Sequence, residues 1–294
     1  AGAVQDGDVG QTIESKIDLS GINGKKFLVQ VYDYAMNAAT YELKMQIGEE
    51  LPAPDMMAFN TANSTWIGFG KGDALGTAQA ISAAKVNFFA ATEVEGMIFA
   101  STDEGDLYVL NEEDPSEMTF VRNLGVVATD MAYNATNETL YAVADGSLIT
   151  IDRLTGAVTT IGEIGVETNT LACDNEGNFY CVAYGDTNEV TNRGFVYRFT
   201  LDTMAEPVAI TSEVHSNNYV QALELNPNNG KLYWNSFYYF DFYGFFQLIY
   251  AELYEIDPAT GEVVTLKDFE HEITALCIPL KSSGGGWSQP TDEV

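Results

Sequence analysis

The chain consists of short runs in which apolar and polar residues alternate, separated by Gly, Asn and Asp. Residues 128–165 show this pattern most clearly, with Asp145-Gly146 near their centre. Gly, Asn and Asp accept the positive φ that tight hairpin turns need. The alternation predicts one antiparallel sheet with strands at Thr129–Tyr133, Leu140–Ala144, Ser147–Asp152 and Val158–Ile161. No long segment has the apolar period of a helix, so the chain is predicted to be all-β.

The unit in residues 128–165 recurs along the chain. Residues 128–141 align without gaps to 220–233, and the same frame fits 86–99 and 169–180. Each aligned segment ends on an aromatic residue, namely Phe99, Tyr141, Tyr180 or Tyr233. A four-stranded unit repeated every ~40–45 residues is typical of a β-propeller blade. We number these blades one to four in chain order.

The two ends of the repeat region supply complementary halves of a fifth blade. Residues 273–280 match only the first strand of the unit, and residues 56–82 match only the remaining strands. Pairing these segments would close the ring and leave no blade with an unsupported edge. We therefore predict a five-bladed β-propeller over residues 55–281. The alanine-rich segment 74–85 leaves a short helix open as an alternative to an outer strand.

Residues 1–51 do not follow the repeat and contain two predicted strands, Lys25–Asp33 and Thr40–Ile47. Within them stands a V-x-V-x-D-Y-A-x-N motif made by Val29, Val31, Asp33, Tyr34, Ala35 and Asn37. This stretch resembles the last strands of the fibronectin-III-like domain that follows the catalytic domain of large secreted subtilisin-like proteases. The resemblance implies a β-hairpin or sandwich remnant in the accessory region of such a protease. The catalytic Asp, His and Ser motifs of that family are absent from the sequence.

The net charge of the chain limits the classes of molecule that it is expected to bind. The 43 acidic and 13 basic residues give a net charge of −30 at pH 7. Nucleic acid is excluded, because phosphate binding needs clustered Lys or Arg. No apolar run has membrane-spanning length, so membrane insertion is not expected. An acidic, solvated surface of this kind suits an extracellular or cell-surface protein. No cofactor is predicted, and Ca²⁺ binding by acidic turns is a weaker alternative because no EF-hand spacing is present.

Residues that commonly carry catalysis are few. The two histidines, His215 and His271, have no zinc or hydrolase spacing around them. Residues 101–108 resemble the Asp-box of sialidases, but turn chemistry explains that match. The I-D-x-x-T-G motifs at Asp152 and Asp257 are explained by side chains that bond nearby backbone N–H groups. We therefore predict no catalytic residue and no metal ligand.

The three cysteines, Cys173, Cys181 and Cys277, are too few for a disulfide framework. We expect buried free thiols that act as small hydrophobic side chains. Cys173 and Cys181 flank one turn and would face each other across a loop of about three residues, but not across one of about two. A bond between them is therefore left open.

Two insertions lengthen adjacent blades, each between the second and third strands. They are residues 184–194 in blade three and residues 234–250 in blade four, and the latter contain ten aromatic residues. Loops on a rigid scaffold commonly carry function. The predicted ligand-binding residues are Trp234, Tyr239, Phe240, Asp241, Phe242, Tyr243, Phe245 and Phe246, with Asp186 and Arg193 from the other insertion. Packing of these rings within the chain is the alternative.

Together these patterns predict a non-catalytic binding or spacer module of a secreted or cell-surface multidomain bacterial protein. Its expected partners are a protein ligand, a glycan ligand or neighbouring domains of the parent protein. The alternative is a carbohydrate-binding or glycoside-processing propeller that uses the same face, which would need two carboxylates about 5–9 Å apart. The Gly- and Ser-rich segment that begins at Lys281 predicts a flexible linker over residues 282–294.

Overall fold

The computed structural model describes residues 56–70, 79–112, 114–184, 193–212, 214–215, 221–242 and 246–279. The chain divides into two compact units, residues 1–52 and residues 53–294. All described residues belong to the second unit. The hairpin predicted in residues 1–51 and the linker predicted in residues 282–294 lie outside the described residues.

The described residues form five antiparallel sheets. Blade five contributes the first strands, β1 (Met56–Asn60), β2 (Thr65–Phe69) and β3 (Gln79–Ala83). Blade one contains β4 (Phe88–Val94), β5 (Met97–Thr102), β6 (Asp106–Asn111) and β7 (Met118–Asn123). Blade two contains β8 (Asp130–Asn134), β9 (Thr139–Ala144), β10 (Ser147–Ile151) and β11 (Val158–Glu163). The strands predicted in blade two are confirmed with small shifts at their ends.

The remaining strands complete the ring. Blade three contains β12 (Ala172–Cys173), β13 (Phe179–Tyr184), β14 (Arg193–Phe199), β15 (Val208–Ala209) and β16 (Val214–His215), with a short 3-10 helix at Leu201–Thr203. Blade four contains β17 (Ala222–Asn226), β18 (Lys231–Phe242), β19 (Phe246–Ile256) and β20 (Val263–Asp268). The last strand, β21 (Ile273–Cys277), belongs to blade five. The predicted all-β, five-bladed propeller is confirmed.

Blade five is built from both ends of the described chain. Strand β21 pairs antiparallel with β1, placing Cys277 opposite Met57 and Ile273 opposite Asn60. A β-bulge interrupts this pairing, and within it Ala275 has a φ of 50°. Within segment 74–85, where a short helix was the alternative, Gln79–Ala83 form the outer strand β3, and residues 74–78 lie outside the described residues. The C-terminal strand thus provides the innermost strand of a blade that the N-terminal side of the propeller begins.

Hairpin turns of two residues join strands where the sequence allows positive φ at both positions. Asp145 and Gly146 have φ values of 49° and 72°, and Glu95 and Gly96 have 54° and 88°. Two successive positive φ values define the turns that match the twist of paired strands. The Asp-Gly prediction for blade two is therefore confirmed, while Glu95 occupies a position that Asn or Gly fills more readily.

The hydrophobic core lies between blades. Five clusters of buried residues each combine side chains from two neighbouring blades. Between blades five and one, the rings of Phe59, Trp66 and Phe88 lie 5.4–5.6 Å apart, centroid to centroid. Each sheet is therefore stabilised by the sheet on either side, and a blade missing from the ring would expose two such clusters.

The three cysteines are buried and free, as predicted. Cys173 lies opposite Phe179 in the β12–β13 pair, so a five-residue turn separates the strands and Cys181 lies two positions farther along the same face. Burial raises the pKa of the Cys181 thiol to about 12. These thiols therefore fill the core as small apolar groups.

A turn at the rim of blade four lies close to blade three. A Cβ added to Gly261 in blade four would lie 2.2 Å from the carbonyl oxygen of Ile210 in blade three. The same turn is closed by Asp257, which accepts from the backbone N–H of Ala259. In blade two Asp152 accepts from the backbone N–H of Thr155 in the same way. The two I-D-x-x-T-G motifs are thus confirmed as turns.

Candidate functional site

Within the described residues, the strands of the blade four hairpin are longer than those of the other blades. Strands β18 and β19 pair without interruption from Leu232 opposite Ile256 to Phe242 opposite Phe246. Strand β17 pairs with β18 only as far as Asn235, and β20 pairs with β19 only as far as Glu252. In the described part of the chain, the six residues of β18 after Ser236 therefore continue as a two-stranded ribbon, about 20 Å long at the usual rise of a strand.

The register assigns the ribbon positions to two different faces. Residues directly opposite in an antiparallel pair share a face, and successive residues alternate. One face holds Tyr238, Phe240, Phe242, Phe246, Leu248 and Tyr250. The other face holds Tyr239 opposite Ile249 and Asp241 opposite Gln247. The first face is uncharged and largely aromatic, whereas the second is mixed; we call the first the aromatic face.

The base of β18 shows which neighbour each face adjoins. Leu232 and Trp234, which share the parity of the aromatic face, pack in the cluster formed with blade three. Tyr233, on the opposite side of the strand, packs in the cluster formed with blade five. The aromatic face therefore continues the side of β18 that adjoins blade three. Blade three is also the blade that carries the other insertion.

Trp234 does not belong to a contact surface. Its side chain is fully buried, its ring stacks on Tyr254 at 4.9 Å, and its indole N–H donates to Gln221 at 2.7 Å. A residue enclosed in the core between blades three and four has no surface left for a ligand. The prediction that Trp234 binds ligand is therefore corrected, because its position belongs to the blade and not to the ribbon.

Some of the other predicted site residues lie in described strands, and some lie outside the described residues. Tyr239, Phe240, Asp241 and Phe242 lie in the ribbon part of β18, and Phe246 begins β19. From the second insertion, Arg193 begins β14 opposite His215. Asp186, Tyr243 and Phe245 lie outside the described residues. The ribbon thus brings together five of the predicted positions, of which three, Phe240, Phe242 and Phe246, occupy the aromatic face.

A carboxylate fills the centre of the propeller, where the inner strands of the blades converge. Asp130 of blade two is fully buried, and its side chain accepts from the backbone N–H groups of Leu171 and Leu223, both at 2.8 Å. It also accepts from the N–H of Met131 at 3.0 Å. One side chain thus joins the inner strands of blades two, three and four.

A second carboxyl group lies beside the first. Glu224 of blade four accepts at 3.2 Å from the hydroxyl of Thr92 in blade one. Burial, followed by the nearby charge of Asp130, raises the pKa of Glu224 well above its ordinary value. Next to Thr92, Glu93 accepts from the backbone N–H of Gly96, and burial raises its pKa to about 7.

Sequence reasoning missed these central carboxyls, although a signal was present. In the repeat alignment Asp130 falls opposite Ala222, and Glu224 falls opposite Ala132. An acidic residue inside an otherwise apolar inner strand is unusual unless it is paired or hydrogen-bonded. Comparing equivalent positions between blades would therefore have singled out both residues.

A cleft of about 900 Å³ lies at the outer rim of blade three. Its charged lining residues include Arg198 with Glu176, Asp202 and Glu206, and Val208 provides an apolar wall. The cleft forms because residues 200–207 make a longer connection than the corresponding turn of blade two. Its excess of negative charge favours cationic over anionic ligands.

The described residues include neither a metal-binding group nor a membrane-spanning helix. Within the described ranges, no group of three or more His, Cys, Asp or Glu side chains is placed to hold a metal ion. In that same part of the chain, no helix is both long and apolar enough to cross a bilayer. The Ca²⁺ alternative and the absence of a cofactor stay predictions.

Comparison with known proteins yields similarity to solved structures only. No protein-family model matches the chain, and no curated protein sequence matches it. A protein of unknown function from Bacteroides thetaiotaomicron is 14% identical, with 71% of this chain and 64% of that chain covered and a TM-score of 0.38. The chain therefore spans less than two thirds of that structure.

Two further solved structures are similar at comparable levels. A putative TolB from Agrobacterium tumefaciens is 13% identical over 73% of this chain and 88% of that chain, with a TM-score of 0.42. The glutaminyl cyclase of Myxococcus xanthus is 20% identical over 63% of this chain and 71% of that chain, with a TM-score of 0.40. Identities and scores this low carry no argument about function.

Proposed function

We propose that the chain is a non-catalytic binding module of a secreted or cell-surface multidomain bacterial protein, and that it contacts its partner through the ribbon of blade four. The observation that supports this proposal is the pairing of β18 with β19, which continues to Phe242 opposite Phe246, well past both neighbouring strands. Aromatic side chains supply large contact areas at protein interfaces and stack on the faces of sugar rings.

The proposed parent protein is a subtilisin-like protease with this region as an accessory part. Support comes from the resemblance around Val29 and Asp33, which lies outside the described residues. The proposed location outside the cell is supported by the net charge of −30. An acidic surface keeps a protein soluble and disfavours binding to polyanions.

A binding role is favoured over glycoside processing because the carboxyls at the propeller centre already have structural partners. Asp130 is surrounded by three backbone N–H donors, and Glu224 by the hydroxyl of Thr92 and by the core. A glycosidase needs one carboxyl that donates a proton to the substrate and a second that reaches the sugar or a water. Fully buried groups bonded within the fold serve that chemistry poorly.

The test is to shorten the ribbon. Residues 238–250 are replaced by Asp-Gly, copying blade two, where Asp145-Gly146 joins Ala144 to Ser147. We expect unchanged cooperative unfolding, within roughly 1 kcal/mol, and loss of binding on a panel of immobilised glycans and secreted-protein peptides. Loss of folding would instead show that the ribbon packs within the chain, and binding that survives shortening would refute the proposal.

Point variants separate the two faces of the ribbon. Phe240→Ser and Phe242→Ser change the aromatic face, whereas Tyr239→Ser changes the opposite face and serves as the matched control. We expect at least a tenfold weaker affinity from the first pair, since contact aromatics commonly contribute more than about 1.4 kcal/mol each. Equal effects from both faces would contradict the assignment. Hydrolysis of a bound glycan would show glycoside processing.

A further inference from the structure

Among the described residues, the centre of the propeller gathers acidic groups without a basic partner. Glu224 of blade four interacts electrostatically with Glu93 of blade one, Asp130 of blade two, and the thiols of Cys173 in blade three and Cys277 in blade five. In the described part of the chain, none of these carboxyls forms an ion pair with Lys, Arg or His. Each of the other four blades thus contributes one buried acidic group to the surroundings of Glu224, although the two thiols belong to different hydrophobic clusters.

The hydrogen bonds distinguish the two buried carboxyls. Asp130 accepts from three backbone N–H groups at 2.8–3.0 Å, and such donors favour a charged carboxylate. Glu224 accepts from one hydroxyl, that of Thr92, at 3.2 Å. Two like charges close together in the protein interior repel strongly, so one proton is shared unequally by such a pair. Burial raises the pKa of Asp130 well above its ordinary value, but the N–H groups of Leu171, Leu223 and Met131 act in the opposite direction. Of the two carboxyls, Asp130 is therefore the better site for the negative charge, and Glu224 is the better site for the proton.

We infer that the centre of the propeller is a proton-dependent clasp, in which Glu224 holds a proton, Asp130 keeps its charge, and loss of the proton weakens the closed ring. The clasp links blades that are not all adjacent. Asp130 joins blades two, three and four, and the bond between Thr92 and Glu224 joins blades one and four. Ionisation of Glu224 places a second charge beside Asp130 and pushes these blades apart.

The direction of the pH dependence follows from the raised pKa values. Burial first, and then the charge of Asp130, raise the pKa of Glu224 well above 4.5. Burial raises the pKa of Glu93 to about 7 from 4.5. When a carboxyl has a higher pKa in the folded state than in the unfolded state, its contribution to stability is complete below the unfolded-state pKa. That contribution is lost as the pH rises through the folded-state pKa. Glu93 therefore loses its contribution to stability between pH 4.5 and about 7, and Glu224 loses its contribution above pH 4.5.

The test measures urea unfolding of the whole chain between about pH 5 and about pH 8.5, in about 0.5 M salt to screen surface repulsion. Glu224→Gln removes the ionising group and keeps the size of the side chain. Glu163→Gln, on the exposed outer strand β11, removes one surface charge and is the matched control. We expect the folding equilibrium constant to fall roughly tenfold to a hundredfold more over this range in the unmodified chain and in Glu163→Gln than in Glu224→Gln.

Two outcomes would overturn the inference. One is an unmodified chain whose stability stays constant or rises over this pH range. The other is a Glu224→Gln variant that keeps the full pH dependence. If that variant does not fold, infrared spectroscopy of the unmodified protein decides, because a buried protonated carboxyl gives a carbonyl stretch that carboxylates lack. We expect this band at neutral pH, and its absence would exclude the clasp. We expect Glu93→Gln to reduce the pH dependence only in part, and complete loss of the dependence in that variant would also contradict the inference.

Discussion

Asp130 shows how much one buried side chain can contribute to the architecture. Its two carboxylate oxygens receive N–H groups from Met131, Leu171 and Leu223, which belong to three different blades. Inner strands at the axis of a propeller have no neighbour on one edge, so some of their N–H groups need another acceptor. Asp130 provides that acceptor, which accounts for a charged residue in an apolar strand.

Replacing this carboxylate by an amide tests that role. Asp130→Asn keeps the shape but presents an NH₂ group where a second acceptor oxygen was, leaving a backbone N–H unpaired. We expect a loss of about 3 kcal/mol in the free energy of unfolding, measured by urea titration near pH 7. Asp145→Asn is the matched control, because Asn suits the positive φ of that turn. Equal stability of the two variants would show that Asp130 is not a structural acceptor.

At the scale of elements, the repeat made most of the fold predictable. Local hydrogen bonding explains where the prediction from the repeat was incomplete. Blade two follows the alternation closely because its turns, such as Asp145-Gly146, suit tight hairpins. The outer strand of blade three, by contrast, splits into β15 and β16. There Val196 donates its N–H to the hydroxyl of Thr211 rather than to a strand partner, and Pro207 has no N–H to offer. The alternation of apolar residues cannot predict that a side-chain hydroxyl replaces a strand as hydrogen-bond partner.

The candidate site was predictable in position but not in detail. The length of residues 234–250 and their aromatic content indicated an extended hairpin. The sequence does not distinguish the buried Trp234 from the aromatic residues of the ribbon, because the aromatic segment runs from the blade into the ribbon. Only the register places the boundary, at the last residues that pair with β17 and β20. The central carboxyls required knowledge of the closed ring, since their partners are distant in sequence.

Rim turns offer a test of blade-to-blade contact. Gly261 and Gly230 both lie in turns of blade four, with φ values of 75° and 68°. A Cβ on Gly261 would meet the carbonyl oxygen of Ile210 at 2.2 Å, whereas one on Gly230 would meet open space. Both Gly→Ala variants incur the conformational cost of positive φ, about 1 kcal/mol. We expect Gly261→Ala to lose about 2 kcal/mol more in urea unfolding, because it also displaces blade three. Equal losses would show that blade three moves away from the added methyl group without a measurable cost in stability.

At the scale of the whole molecule, stability depends on closing the ring. Every cluster of the core lies between two blades, so no blade buries its apolar faces alone. Blade five is the only one assembled from distant parts of the described chain, through the pairing of β21 with β1. Opening that pair exposes the clusters on both sides of blade five, so the ring is expected to unfold from this position.

A covalent link across β1 and β21 tests this expectation. Met57 and Cys277 are direct partners in the strand pair, and both are buried in the same cluster. Met57→Cys therefore places two thiols opposite each other, and refolding in a glutathione buffer should join them. The bond would close a loop of about 220 residues, for which the chain-entropy model gives about 5 kcal/mol of stabilisation. The loss of volume at position 57 affects the oxidised and reduced forms alike, so the reduced variant is the internal control.

We expect the oxidised Met57→Cys chain to unfold at a clearly higher urea concentration than its reduced form, with two titratable thiols after denaturation instead of four. The two that remain are those of Cys173 and Cys181, which lie in a different cluster. If the bond forms and the midpoint does not rise, unfolding begins elsewhere in the ring. If no bond forms in the refolded protein, the register between β1 and β21 differs from the one that places Cys277 opposite Met57.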